Sequence, residues 1–343
     1  TLATAADEKT DVSGLWTEAK NMLSNIEARE KLCSSPYELT RVWNLQAYAS
    51  YSLDDLPAAI RYYKKIVESE GAEEEFRLDT RLTLGQFYAA TEQYGLAIRQ
   101  FELWAEKAFI IGAQQRLMMA QLYSILERKD EALKMADIGI SEAEAKGEIP
   151  KQGFWQLQVP IYYDRDNLEK VTSLLEKLVK HYPKWTYWKQ LGGMYGSKER
   201  DIDQLVAYDV VYLNGELSSE TDVMSMAYMY LGAEVPFRAA KIIEKGMKDE
   251  IIEKSAKNLE VLGQAWLQAQ NLPRALKAFE GASKLSDTGE LQYRIASIYL
   301  DLGQDKKAYR ASVKAEKKGV GKNTASNCNK MGSALINLHC YKD

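Results

Sequence analysis

The sequence predicts an all-α protein built from tandem pairs of helices, and two observations support this prediction. Small and aromatic residues recur at fixed offsets along the 343-residue chain. Each occurrence joins two segments of helical periodicity through a short polar turn, as in "LERKD" at 126–130 and "LGQD" at 302–305. Repeats of this kind are typical of stacked helical arrays, in which each unit buries its apolar face against its neighbours.

The offsets are clearest in the copy that starts at Gly263. Aromatic residues follow at +3 (Trp266) and +16 (Phe279), and small residues follow at +12 (Ala275) and +19 (Ala282). Two helices approach closely only where side chains are small, and the aromatic rings fill the space beside the contact. We therefore predict that these residues form core and carry no chemistry. The anchor positions, 33 to 39 residues apart, are 47, 85, 120, 159, 192, 227, 263, 296 and a truncated copy at 332.

Not every copy matches the pattern equally well. The copy at Gly192 fits only if one extra residue is inserted before Leu205. Its first helix also contains "GGMYG" at 192–196, and three glycines weaken a helix. Tight backbone packing or a weak joint would explain them; the alternative is a site where the backbone of a ligand approaches closely.

The spacing resembles the tetratricopeptide repeat. The resemblance implies a right-handed α-solenoid of paired antiparallel helices, with the first helices lining a concave face. We expect one continuous solenoid: a flexible segment at 1–14, a partial repeat at 15–39, eight repeats over 40–322 and a partial repeat at 323–343. Because both ends cut through repeats, we also expect the chain to be a piece of a slightly longer protein.

Composition excludes several classes of protein. Charged residues make up 27% of the chain and the net charge is −4, which gives no electrostatic case for binding nucleic acid or an anionic membrane. No apolar run approaches the ~18 residues of a transmembrane helix. Cys33, Cys328 and Cys340 are too few for a disulfide scaffold, and ~18 Å of helix would separate the last two. We expect free, buried thiols, which do not settle the compartment.

The sequence offers no catalytic, cofactor or metal site. His181 and His339 lie in different repeats, and no Cys/His spacing matches a zinc site. No nucleophile with a nearby base stands out. "GVGKNT" at 319–324 lacks the hydroxyl residue and the preceding strand of a phosphate loop. We therefore predict that the protein is not an enzyme and has no cofactor.

One stripe on the predicted first helices is suited to binding. Residues at offsets −6, −3, +1 and +4 share a helix face. Gln and Asn can donate to and accept from a peptide backbone, and Tyr adds contact area with a polar tip, so an extended or helical polypeptide would fit. The alternative is a face that is solvated or covered by the protein's own tail. The predicted binding residues are Arg41, Asn44, Tyr48, Tyr51, Gln86, Gln114, Gln121, Gln156, Tyr163, Lys189, Met224, Tyr228, Glu260, Gln264 and Tyr293.

Several segments resemble a narrower group than the repeat family. They include "YPKWTYWKQLGGMYG", "NLEVLGQAWLQAQNLPRAL" and "GSALINLHCYKD". From about residue 36 onward, the chain resembles the tetratricopeptide protein found beside TonB–ExbB–ExbD genes of marine and related gammaproteobacteria. This implies a periplasmic accessory protein of TonB-dependent iron uptake, made with a signal peptide, whose partner is TonB, ExbD or an outer-membrane receptor. A cytoplasmic location, an assembly scaffold for envelope polysaccharide or secretion machinery, and a regulatory array of an enzyme complex stay open.

Overall fold

The computed structural model describes residues 12–28, 35–286 and 288–338, and its regular elements there are all helical. The predicted class, an all-α solenoid of tandem helix pairs, is confirmed for this part of the chain. The helices are α1 (Val12–Glu27), α2 (Pro36–Ser52), α3 (Leu56–Glu68), α4 (Glu74–Ala90), α5 (Tyr94–Ala105), α6 (Ala113–Ile125), α7 (Lys129–Ala145), α8 (Gln152–Asp164), α9 (Leu168–His181), α10 (Trp185–Ser197), α11 (Asp201–Leu213), α12 (Glu220–Gly232), α13 (Pro236–Lys248), α14 (Ala256–Gln268), α15 (Leu272–Leu285), α16 (Gly289–Asp301), α17 (Asp305–Lys318) and α18 (Thr324–Asn337), with a short 3-10 helix at Gly321–Asn323.

The chain divides into two compact units, residues 1–182 and 183–343. Unit 1 contains α1 and the four pairs α2/α3, α4/α5, α6/α7 and α8/α9. Unit 2 contains the four pairs α10/α11, α12/α13, α14/α15 and α16/α17, and ends with α18. Within each unit, the helices of a pair pack on each other, and the second helix of a pair packs on the first helix of the next.

The turn inside each pair has the same backbone geometry in all eight copies. The residue at anchor +7 has a φ between 55° and 66°. The next residue donates its backbone N–H to the carbonyl at +3, as Arg128 does to Tyr123 at 2.8 Å. Such a left-handed residue satisfies carbonyls at a helix end and reverses the chain. The residues with this φ are Asp54, Glu92, Glu127, Asp166, Glu199, Glu234, Gln270 and Gly303.

The prediction that the Gly192 copy contains one extra residue before Leu205 is wrong. In this pair, as in the others, the second helix begins nine residues after the anchor, here at Asp201. Gln204 therefore occupies the position where six of the other seven pairs have alanine. Gly196 makes room for it, because a Cβ at Gly196 would collide with the Gln204 side chain. A glycine on the first helix thus compensates for a large residue on the second.

Close approach of the two helices explains the small anchor residues. A Cβ on Gly263 would lie 2.9 Å from the ring of Phe279, and one on Gly85 would lie 2.8 Å from the ring of Phe101. Both rings are fully buried. Gly192 packs on Tyr208 in the same way, whereas Gly193 has open space at its Cβ position. The close-packing interpretation of "GGMYG" thus holds for its first and last glycines.

Hydrogen bonds from aromatic side chains join consecutive pairs. The aromatic residue at +3 donates to a carboxylate at +17 of the preceding pair, as Tyr230 does to Asp209 at 2.7 Å. A cation of the aromatic residue's own pair completes the group, since Arg238 lies 3.2 Å from the same carboxylate. We call these contacts the inter-pair hydrogen bonds. The others are Tyr123–Glu102 (2.9 Å), Trp266–Glu244 (3.0 Å) and Tyr299–Glu280 (2.5 Å).

The three tyrosines that form inter-pair hydrogen bonds are weaker acids than an ordinary tyrosine. Burial, reinforced by the accepting carboxylate, raises the pKa of Tyr123, Tyr230 and Tyr299 to about 12. An unfolded tyrosine titrates near a pKa of about 10. Because the folded-state pKa is the higher one, the associated stability is complete below pH ~10 and is lost as pH rises toward 12.

We predict opposite effects for two Gly→Ala substitutions. Gly263→Ala should lower the free energy of unfolding by about 1–3 kcal/mol, since the buried Phe279 ring has nowhere to move. Gly193→Ala should raise it by about 0.5–1 kcal/mol, because it adds helix propensity in open space. Urea denaturation followed by tryptophan fluorescence measures both. Stabilisation by both substitutions would contradict the close approach.

We also predict a late tyrosine titration. Absorbance at 295 nm should show a tyrosine ionisation step near pH 12 to which Tyr123, Tyr230 and Tyr299 contribute, and Tyr230→Phe should lower the amplitude of that late step by about a third. The variant should also lose stability less steeply than the wild type between pH 10 and 12, because the group whose pKa is raised has gone. Tyr228→Phe, on the same helix but half-exposed, is the control and should leave the late step unchanged.

Candidate protein-binding surface

The structure leaves nearly all of the predicted stripe at the surface. Tyr48, Tyr51, Tyr163 and Tyr228 have about half of their side-chain area exposed, and the Gln, Asn and charged members are exposed or half-buried. Met224 is the exception and corrects the prediction. It is only 7% exposed and belongs to the hydrophobic core of unit 2, so it offers no binding surface.

In unit 1 the stripe residues connect the first helices of successive pairs. The ring of Tyr51 on α2 meets the ring of Phe87 on α4 edge-on, with centroids 5.3 Å apart. Gln114 on α6 accepts a hydrogen bond of 3.2 Å from Lys151, which precedes α8. The first helices therefore lie side by side and present their stripes on a common face.

Unit 2 repeats this arrangement with more polar contacts. An ion pair links α10 to α12, one hydrogen bond and one ion pair link α14 to α16, and a hydroxyl pair links α16 to α18. These contacts hold half-buried side chains in place without burying them fully. The pairs are Lys189–Asp222 (2.9 Å), Arg294–Gln264 (3.0 Å), Arg294–Glu260 (3.6 Å) and Tyr293–Ser326 (2.8 Å).

A pocket opens on the stripe of unit 1. Its volume is about 430 Å³, and none of its lining residues is charged. Three of the predicted binding residues, Tyr48, Tyr51 and Gln86, contribute to its walls. An uncharged pocket lined by aromatic rings suits an apolar side chain, which buries well against ring faces. The remaining lining residues are Leu56, Tyr63, Phe87 and Ala90.

The polar atoms of this pocket are suited to a peptide backbone. Gln86 is exposed and carries both a donor and an acceptor. Burial raises the pKa of Tyr63, and the neighbouring Tyr48 and Tyr51 raise it further, so its hydroxyl stays protonated at neutral pH. The pocket can thus hold an apolar side chain while Gln86 and the tyrosine hydroxyls bind the chain beside it.

Four of the seven residues that line this pocket lie outside the predicted binding stripe. Phe87 lies at offset +2, outside the chosen stripe, yet its ring centroid is 5.4 Å from that of Tyr63 and 5.3 Å from that of Tyr51. Tyr63 lies at offset +16 of the Ala47 copy, where the pattern predicts a core residue; it is 9% exposed, and it also lines the pocket. The sequence contains one signal for this pocket, which is the presence of two adjacent aromatic residues, Phe87 and Tyr88. One faces the neighbouring first helix, while the other is buried within its own pair.

The described residues contain no group of three or more His, Cys, Asp and Glu side chains placed to hold a metal ion. The ring of His181 packs near that of Trp155, with centroids 5.7 Å apart, at the end of α9. Cys328 is exposed, so the expectation of a buried thiol is wrong there. Cys33, Cys340 and His339 lie outside the described residues. Among the described helices, each is too short or too polar to span a bilayer.

The sequence matches no protein-family model and no curated protein. Its structure is similar to a MamA protein (TM-score 0.38, 18% identity, covering 45% of this chain and 82% of that one). It is also similar to the TPR2AB domain of yeast Sti1 in its pHSP90 complex (TM-score 0.40, 13% identity, 75% and 98%). A tetratricopeptide repeat protein from Parabacteroides merdae ATCC 43184 gives a TM-score of 0.29 at 13% identity, covering 87% and 99%. Likenesses this distant assign no function.

We predict that the exposed pocket tyrosine contributes little to stability. Tyr51→Ala should lower the free energy of unfolding by less than about 1.5 kcal/mol, because the side chain is half-exposed and loses mainly one aromatic contact. Phe101→Ala, in the core of the same unit, should cost about 3–5 kcal/mol. Urea denaturation compares the two. An equal cost for both would mean that Tyr51 is a packing residue and not a binding residue.

Proposed function

We propose that the protein is a non-catalytic scaffold that binds a polypeptide partner along the stripe of its first helices. The observation that carries the proposal is the uncharged aromatic pocket on this stripe, whose walls include Tyr48, Tyr51 and Gln86. An apolar side chain of the partner enters the pocket, and stripe residues on either side contact the partner's backbone. Rigid aromatic anchors of this kind dominate the energetics of many protein interfaces.

The construction of the stripe supports a polypeptide as the ligand. Its Gln, Asn and Tyr side chains can satisfy backbone N–H and C=O groups whatever the partner's sequence. The side chains that link neighbouring first helices are already ordered, as in the Lys189–Asp222 ion pair, so binding loses less conformational entropy there. Stacked repeats also offer a long surface on which one extended segment can contact several helices.

We further propose that the scaffold acts as an accessory component of TonB-dependent outer-membrane transport. The support for this finer assignment is the resemblance of the sequence from residue 36 onward to the protein encoded beside TonB–ExbB–ExbD genes. This resemblance implies that the protein acts in the periplasm and that its partner is TonB, ExbD or an outer-membrane receptor. The pocket and the stripe would then bind an extended segment of one of these proteins.

In vivo photo-crosslinking tests both levels of the proposal. A photo-crosslinking residue placed at Gln86, in the protein expressed in its own cells, should capture a protein partner. The same residue placed at Lys134, exposed on the second helix α7, is the control and should capture none. The added substitution Tyr51→Ala should reduce capture at Gln86 by about fivefold or more, because it removes one wall of the pocket.

The identity of the captured protein separates the two levels. TonB, ExbD or a receptor would support both. A component of polysaccharide or secretion machinery would support the scaffold and overturn the transport role. Cytosolic proteins would overturn the periplasmic assignment. Equal capture at Gln86 and Lys134, or capture that Tyr51→Ala leaves unchanged, would overturn the pocket as the binding site.

A further inference from the structure

Unit 2 has two clefts of the same construction on its second-helix side. Each lies between the second helices of successive pairs, above the first helix that separates them. The first cleft lies between α13 and α15 above α14, and the second lies between α15 and α17 above α16. Each has a volume of about 690 Å³.

The two clefts are equivalent in the repeat register and are both basic. Each is lined by cations at offsets +11 and +14 of its own pair and +21 of the preceding pair. Lys254 adds a positive charge to the first cleft, and Lys314 and Lys318 add two to the second. The equivalent cations are Arg274, Lys277 and Lys248 in the first cleft, and Lys307, Arg310 and Lys284 in the second.

Arg274 forms an ion pair with Glu244 (3.6 Å), but three other cleft cations have no such partner among the described residues. Of the described lining residues, each cleft has one carboxylate, Glu244 or Glu280, and the inter-pair hydrogen bonds already use both. In the described part of the chain, no carboxylate lies within ion-pair distance of Lys277, Lys284 or Arg310, and all three side chains are exposed. These cations are therefore available to a ligand.

The floors of the clefts are apolar. Leu262 and Trp266 lie beneath the first cleft, and Ile295 and Ala311 lie beneath the second; all four are buried. A flat anionic membrane surface would contact the rim and leave the floor unused. A polypeptide carrying carboxylates and an occasional apolar side chain would use both the rim and the floor.

The positive charge at offset +21 does not follow from the repeat itself. At offset +21, where unit 2 has Lys248 and Lys284, the first two pairs of unit 1 have Glu68 and Glu106. These positions are exposed, so helix packing does not dictate their charge. The chain as a whole has a net charge of −4, which makes this local positive surface a departure from its composition.

We propose that the two clefts form a second binding surface, which takes an acidic segment of a polypeptide partner. The segment crosses α15 and places carboxylates among Lys248, Arg274 and Lys277 on one side and Lys284 and Arg310 on the other. Apolar side chains between the carboxylates contact the floors. This surface lies on the second helices, whereas the aromatic pocket lies on the first helices of unit 1, so the two surfaces do not depend on each other.

Fluorescence anisotropy with the full chain tests this proposal. The probe is a fluorescein-labelled peptide of Glu and Leu residues, compared with the same peptide carrying Gln in place of Glu. The acidic peptide should bind at least about tenfold more tightly than the neutral one, and raising the salt concentration should weaken it, because the attraction is electrostatic. Lys277→Glu with Arg310→Glu should weaken binding by about tenfold or more.

The matched control is Lys134→Glu, which reverses an exposed charge at the same +14 position of the α6/α7 pair in unit 1. It should change the affinity less than about twofold. Circular dichroism melts of all three proteins establish that folding is unchanged. Equal binding of the two peptides, or equal losses in the Lys134→Glu and the double variant, would overturn the proposal. Vesicles with anionic phosphatidylglycerol, or inorganic phosphate, competing better than unlabelled acidic peptide would also overturn the acidic segment as the ligand.

Discussion

The rest of the structure depends on the close approach of the two helices in each pair. A single missing Cβ, as at Gly263 opposite Phe279, lets a fully buried ring lie directly against the backbone of the first helix. That contact fixes how deeply the second helix sits, and the left-handed turn residue at +7 fixes where it begins. The pair at Gly192 shows how strong the constraint is. A large Gln204 at the small-residue position is accommodated by Gly196, and the register of the pair does not change.

The inter-pair hydrogen bonds extend this order from one pair to the next. The aromatic residue at +3 contributes a buried ring and also a polar atom that reaches the preceding carboxylate, as Trp266 reaches Glu244. If the contact between two pairs were purely apolar, one pair could slide along the other. A directional hydrogen bond restricts the two pairs to one relative position. These contacts also use the one carboxylate among the described lining residues of each cleft, while Lys277, Lys284 and Arg310 have no ion-pair partner in the described part of the chain. The same carboxylates thus take part in packing between pairs and border the basic clefts.

The two helices of a repeat expose different positions, and the chain has chemically different surfaces on its first and second helices. The first helices present Gln, Tyr and aliphatic side chains, and in unit 1 these form an uncharged pocket. The second helices of unit 2 present lysine and arginine around apolar floors. An uncharged aromatic pocket selects for side-chain shape, while a basic cleft selects for charge and acts over a longer range.

The sequence by itself determined the helical class, the places of the eight pairs, the core role of residues such as Trp266 and Phe279, and nearly all of the exposed stripe. These follow from local periodicity and side-chain size, which recur in every copy. Only the tertiary structure decided which stripe positions are open, because it places Met224 in the core of unit 2 and Phe87 beside Tyr51. The structure also revealed the hydrogen-bonded carboxylates and the basic clefts. Their members lie 19 to 22 residues apart in the hydrogen-bonded pairs, and on three different helices in each cleft. Contacts between helices of different pairs depend on how the pairs stack, and the periodicity within a single helix does not contain that information.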